Sequence, residues 1–199
     1  MKILVTAFGP FDGRSENASS LALRELKKAF PKIHTRILPV DSVIAPARLK
    51  QALQLIRPDA LILLGEAAGS KSIRMETTAW NELNFKIPDI AGRQPTARAI
   101  YPSSPATLRA TLPMKKLQSQ LQANSHEAML SSNPGRYLCN QVFYVALEWL
   151  KVRAIPCPAG FIHLPLAQDY PTDRVVDALG HVIRLVGISA VEPETKSGN

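Results

Sequence analysis

Two hydrophobic rhythms alternate along the chain. Continuous apolar runs at Ile3–Phe8, Ala60–Leu64 and Ala159–Leu164 read as strands covered on both faces. Stripes spaced three and four residues apart read as amphipathic helices: Ala22, Leu26, Ala29 and Phe30 before Pro31, and Leu49, Ala52, Leu53 and Ile56 before Pro58. The longest stripe is Cys139, Val142, Phe143, Ala146, Leu147 and Leu150, entered through the turn residues Ser132, Asn133, Pro134 and Gly135. Thr35–Val40, Thr77–Asn81 and Ala128–Ser131 read as further strands, and Leu112, Leu117 and Leu121 as a helix opening near Pro113. Val175, Leu179, Val182, Ile183 and Val186 mark a last helix with Thr172 as its N-cap. Phe85–Pro105 carries four prolines and Gly92 and reads as a long excursion over one rim.

The alternation of strand and helix predicts an α/β fold with a largely parallel sheet and helices on both faces. Sites in such sheets gather at the carboxyl ends of the strands. That rule puts the Phe8–Gly13 loop, a small-residue loop at Gly65–Gly69, the loop after Ala128–Ser131 and the end of Ala159–Leu164 on one rim. No linker or repeat divides residues 1–199, so a single domain is expected, with a frayed polar tail at 192–199.

Composition narrows the class. Hydrophobic content of 46% and charged content of 20% fit a globular protein. No apolar run approaches the roughly 18 residues of a membrane span, and MKILVTAFGPF is too soon broken for a secretory signal. Two cysteines make no disulfide framework and fit a reducing cytoplasm. The net charge of +8 is scattered, with no dense basic run, so neither nucleic acid nor a membrane is expected as a partner.

The candidate chemistry lies in Cys139 and His163. Cys139 opens its helical stripe, where unpaired N–H groups and the helix dipole favour thiolate over thiol; the alternative is a small core residue heading the stripe. His34 and His126 fall in polar connections, and His181 beside a helical stripe. His163 alone sits in an apolar strand, where its ring needs a partner. A Cys–His pair across the rim is equipment for nucleophilic acyl transfer. Glu66, Glu76, Glu82 and Asp89 are candidate carboxylates to orient the ring. Neither HExxH nor paired cysteines are present, so no metal or cofactor is expected.

Several separated motifs resemble the pyroglutamyl-peptidase I family of cysteine peptidases, also called pyrrolidone-carboxyl peptidases. They are T-x-F-x-P-F-x-G at Thr6–Gly13 with Asn17 downstream, the block Gly65–Asn81, Ile87-Pro88-Asp89, Thr111-Leu112-Pro113, Gly135–Asn140 with Tyr144, and Ala159–Pro165. The resemblance implies a three-layer α/β/α sandwich with a mixed sheet and a homo-oligomer, dimer or tetramer. It also implies a Cys139–His163–Glu76 triad and removal of an N-terminal pyroglutamyl residue from peptides. Phe8 and Phe11 fall on the walls of the ring pocket, with Asn17, Ile87, Tyr137 and Leu138 on neighbouring positions.

The chain departs from the family at Gly65–Ser70, where Glu66 replaces a glutamine, Ala68 a glycine and Ser70 an arginine, and at Thr77 and Lys86, each in place of an arginine. Lys86 keeps the charge and loses the planar fork. Glu66 and Lys86 are therefore candidate substrate contacts on which specificity turns. A tight loop is expected to offer mainly backbone and leave the Glu66 side chain in solvent, preserving preference for a lactam over a free amine. The competing readings are a thiol amidohydrolase for another small acyl group and a low-activity homologue that only binds pyroglutamyl or peptide ends.

Overall fold

The computed structural model describes residues 1–189, so the tail at 192–199 lies outside the described residues. The elements run β1 (Ile3–Phe8), α1 (Ala18–Ala29), β2 (His34–Leu38), α2 (Ile44–Ile56), β3 (Ala60–Glu66), β4 (Ile73–Glu76), β5 (Thr78–Trp80), β6 (Thr107–Arg109), α3 (Met114–Ala123), β7 (Ala128–Ser131), α4 (Leu138–Val152), β8 (Ala159–Leu164) and α5 (Thr172–Ser189). Six strands form one sheet in the order β2-β1-β3-β8-β4-β7, and β5 pairs antiparallel with β6 apart from it. β1 and β8 are buried at every residue and β3 at all but its last. This is why their sequences are continuously apolar rather than alternating. Among the described residues no helix is long and apolar enough to cross a membrane.

Strand alternation divides the core into two layers. Val5, Ile62, Leu64, Ile162 and Leu164 face α1, α3 and α5. Leu4, Leu61, Leu63 and Phe161 face α2 and α4. The result is the three-layer α/β/α sandwich with a mixed, largely parallel sheet.

Several boundaries move. β2 ends at Leu38, before Val40, and Thr172 is the first residue of α5 rather than its cap, because the Pro171 carbonyl accepts the first helical bond from Val175. β3 runs on through Gly65 and Glu66, so the loop expected from Gly65 begins two residues later. The strand expected at Thr77–Asn81 is β5, Thr78–Trp80, and a strand not expected from the sequence, β4 at Ile73–Glu76, precedes it across Thr77. β4 escaped the apolar pattern because one of its faces carries Arg74 and Glu76, and that charged face is turned inward.

The largest correction concerns direction. β4 runs antiparallel to β8, with Arg74 opposite His163 and Glu76 opposite Phe161, and β7 runs parallel to β4. The six residues from Ala67 to Ser72 cannot carry the chain back to the far rim, since a parallel return takes a dozen or more. The carboxyl ends of β7 and β8 therefore point to opposite rims. The loop from Ser132 to Tyr137 doubles back before α4 begins. The thiol and imidazole are brought to one place by that reversal and not by a shared strand direction.

Candidate active site

Cys139 is the second residue of α4, after the extended N-cap Tyr137, which makes no side-chain cap bond. Gln141 N–H is the first to find a helical acceptor, the Tyr137 carbonyl. The N–H groups of Leu138, Cys139 and Asn140 thus form the open first turn. The stripe buries Val142, Phe143, Ala146, Leu147 and Leu150 against the sheet and leaves Cys139 half-buried at the end of the helix. Asn140, fully buried, accepts from Trp80 N–H through Oδ1 and donates to the Trp80 and Glu82 carbonyls, fixing the helix start to β5.

Gly65 shows how close α4 comes to the sheet. A Cβ built there would lie 2.6 Å from Phe161 Cζ and 2.8 Å from Cys139 Sγ, below any real contact. Only glycine lets the thiol rest on β3 at that level. Gly65 is register partner to His163 on β8, so the thiol sits on the sheet beside the imidazole's strand. The His163 ring lies tilted against the Phe161 ring with centroids 4.7 Å apart, and its Nδ1 lies 2.9 Å from Glu76 Oε1.

Glu76 is wholly buried. Its Oε1 also lies 3.3 Å from Arg74 Nη2, which donates to Ser131 Oγ and the Asn133 carbonyl, while Oε2 has no hydrogen-bond partner. Arg74 was missed in the sequence, although a spacing of two on a strand puts it on the Glu76 face. The other candidate carboxylates are engaged elsewhere. Glu82 accepts from Arg136 Nε at 2.8 Å. Asp89 Oδ1 accepts from the N–H groups of Ala91 and Arg93, and Oδ2 from Ser42 N–H and hydroxyl. Burial opposes the ionised form of Asp89, but the Ser42 and loop N–H bonds outweigh it and hold the carboxyl down at about 2. Asp89 clamps the Phe85–Arg98 excursion to the β2–α2 connection.

The thiol departs from expectation. Burial first, then the charges of Glu76 and Glu66, push Cys139 up to about 12, and the helix N–H contribution is smaller. The shift favours the thiol over the anion, because desolvating an anion outweighs the dipole of one helix end. Cys157 is buried and also pushed up to about 12, by burial and then Asp59.

A cavity of about 140 Å³ opens beside Cys139, lined by Phe8, Phe11, Asn17, Tyr137, Leu138 and Glu66 among others. Phe11 and Tyr137 rings stand 5.9 Å apart, and Tyr137 hydroxyl donates to the Pro88 carbonyl. Asn17 caps α1, its Oδ1 accepting from Ser19 N–H and hydroxyl. Ile87 and Lys86 are exposed on the neighbouring loop and do not line the cavity. The Glu66 side chain does not point to solvent. It is 5% exposed, accepts from Ala18 N–H at 2.7 Å and pairs with Arg14, whose guanidinium also covers the Phe11 ring. Arg14, Val40 and Ala68 complete the lining; Arg14 and Val40 were not singled out by the sequence, and Ala68 only as a departure from the family in the Gly65–Ser70 loop.

His126 lies in the connection between α3 and β7, as expected, but it is buried there between Tyr170 and Asp177, and burial lowers its pKa.

A sequence model of the pyroglutamyl peptidase family matches residues 1–181. The pyrrolidone-carboxylate peptidase of Pyrococcus furiosus is 34% identical over 183 residues, spanning 90% of this chain and 86% of that one. That of Chromobacterium violaceum is 37% identical over 170 residues, spanning 84% and 79%. The crystal structure of pyrrolidone carboxyl peptidase from Thermococcus litoralis superposes with a TM-score of 0.88 at 29% identity, covering 100% of this chain and 99% of that one. A structure of the P. furiosus enzyme gives 0.90 at 28%, covering 96% and 100%. Sequence and architecture agree over the stretches that carry Glu76, Cys139 and His163, and the chain belongs to the pyroglutamyl peptidase family.

Proposed function

We infer that the protein is a cysteine peptidase that removes an N-terminal pyroglutamyl residue from peptides, with Cys139 as nucleophile, His163 as general base and acid, and Glu76 as the group that orients the imidazole. The observation that carries the assignment of roles is the buried Glu76 carboxylate, 2.9 Å from His163 Nδ1. It fixes the ring proton on Nδ1 and leaves Nε2 as the base. His163 takes the proton of the Cys139 thiol as the sulfur attacks the substrate carbonyl. The developing oxyanion is met by open N–H groups of the first α4 turn. His163 then protonates the leaving amine as the C–N bond breaks, and a thioester remains. Water, deprotonated by the same ring, releases pyroglutamate and returns the thiol.

The cavity supports the choice of substrate. A pyroglutamyl ring is small and uncharged, and Phe8, Phe11, Tyr137 and Leu138 offer apolar walls. The one carboxylate in the lining, Glu66, is paired with Arg14 and with the start of α1. A free ammonium would lose its hydration there without gaining an unpaired anion. Hydrolysis of a pyroglutamyl amide with a fluorescent leaving group is the test. Wild type releases the fluorophore and Cys139→Ala loses the activity by about 10³-fold or more. Equal rates in the two proteins would remove Cys139 from the reaction.

A further inference from the structure

On the opposite face of the sheet from Cys139, three side chains that the peptidase reaction does not use converge. Asp177 and His181 are four residues apart on α5 and share one side of the helix. His126 reaches them from the turn between α3 and β7, which Ser125 enters with φ of 61°. His126 Nε2 lies 3.2 Å from Asp177 Oδ2, and His181 Nε2 lies 4.0 Å from the same oxygen. The three ligand atoms all fall within 4.8 Å of one another. Tyr170 hydroxyl stands 3.1 Å from the other nitrogen of the buried His126 ring.

We propose that His126, Asp177 and His181 form a binding site for a divalent transition-metal ion of the zinc type, which clips α5 to the α3–β7 turn. Two imidazoles and one carboxylate suit zinc and its neighbours, whereas magnesium and calcium take oxygen sets. Tetrahedral zinc with bonds of about 2.0–2.1 Å requires ligand atoms about 3.3 Å apart. The His126–Asp177 edge already has that length. The Asp177 side chain is largely exposed and that of His181 partly so, and rotation of the two closes the two longer edges.

The proton balance also works. Without metal, His126 Nε2–H donates to Asp177, and Tyr170 hydroxyl donates to Nδ1. With metal on Nε2 the ring proton moves to Nδ1 and Tyr170 oxygen accepts it. A phenol serves either tautomer, and an acceptor on the remote nitrogen is the usual support for a metal-bound imidazole. Three protein ligands leave a fourth position for water. Arg174 is engaged with the Ser125 carbonyl, which ties the same turn to α5 without taking up a ligand. No motif announced the set, because His126 is 51 residues from Asp177.

The test adds Zn²⁺ to the full chain in a Cys139→Ala background, which removes the active-site thiol as a competing ligand. The same background carrying Asp177→Asn or His181→Gln is compared with it. One equivalent should bind to Cys139→Ala and raise Tm by roughly 5–10 °C at free ion about 100-fold above Kd. Both double variants, still melting cooperatively without metal, should lose the shift. Co²⁺ in place of Zn²⁺ should give tetrahedral d–d absorption without a sulfur charge-transfer band. In protein with Cys139 intact, Asp177→Asn and His181→Gln should leave pyroglutamyl amide hydrolysis unchanged. No Tm shift in Cys139→Ala, a shift that survives in both double variants, or a cobalt spectrum with sulfur character overturns the site.

Discussion

Two histidines in this protein rest a ring nitrogen against a carboxylate, His163 against Glu76 at 2.9 Å and His126 against Asp177 at 3.2 Å. Only the surroundings separate them. Glu76 is fully buried, held from behind by Arg74, and its histidine shares a site with a thiol and a cavity on the α2/α4 side of the sheet. Asp177 is 64% exposed, faces a second imidazole and lies on the α5 side, across the sheet from Cys139. A histidine–carboxylate contact is therefore not a catalytic signature by itself. In the first region an enclosed carboxylate lies 2.9 Å from Nδ1, the arrangement that the proposed peptidase reaction needs to hold one tautomer. In the second, an exposed carboxylate and a second imidazole leave room for the ligand role proposed above.

The sharpest way to break the comparison is to neutralise each carboxylate in turn. Glu76→Gln should lower kcat for the pyroglutamyl amide by about 10²–10⁴-fold, because the imidazole loses its tautomer and its counter-charge. Iodoacetamide should still alkylate Cys139 in that variant. Asp177→Asn should leave the rate within twofold. Similar losses in both variants would mean that the second pair also serves the reaction.

Arg74 gives the next largest effect. Arg74→Leu removes the cation beside a buried carboxylate and its bonds to the loop after β7. We expect kcat to fall about 10-fold with KM unchanged, and Arg74→Lys to recover most of it, since the charge returns without the planar fork. A change confined to KM would make Arg74 a substrate contact instead.

The thiol can be read through pH. With Cys139 pushed up to about 12, the thiolate fraction grows about tenfold per pH unit below that value. Alkylation of the free enzyme should therefore keep rising from about pH 7 to beyond pH 10. A plateau already at neutral pH would show that the helix N-terminus and His163 overcome burial and keep a resting thiolate.

The smallest effect is expected at Glu66. Its carboxylate is already engaged by Arg14 and Ala18 N–H, so Glu66→Gln should change kcat/KM for the pyroglutamyl amide by less than about 10-fold. Prolyl, glutaminyl and glutamyl amides should stay poor substrates in wild type and variant alike. A free-amine activity in wild type that disappears in Glu66→Gln would show that this residue has altered the substrate.

The sequence by itself determined most of the elements and marked the candidate reacting groups. The apolar runs of β1, β3 and β8 are continuous and the stripes of α1, α4 and α5 repeat every 3.6 residues; both are local patterns that survive any arrangement of the chain. The same locality put Cys139 at the head of α4, and the motif resemblance singled out Glu76 among four carboxylates. Tertiary structure alone decided the rest. The reversed direction of β4 and β7 follows from a short connection and from a partner strand more than eighty residues away, so no window of sequence contains it. The burial of His126, the pairing of Glu66 with Arg14 and the support of Glu76 by Arg74 depend on which segments come together in space. So does the state of the Cys139 sulfur. Helix position is a local property that favours the anion, while burial is a property of the neighbours that disfavours it, and the neighbours prevail.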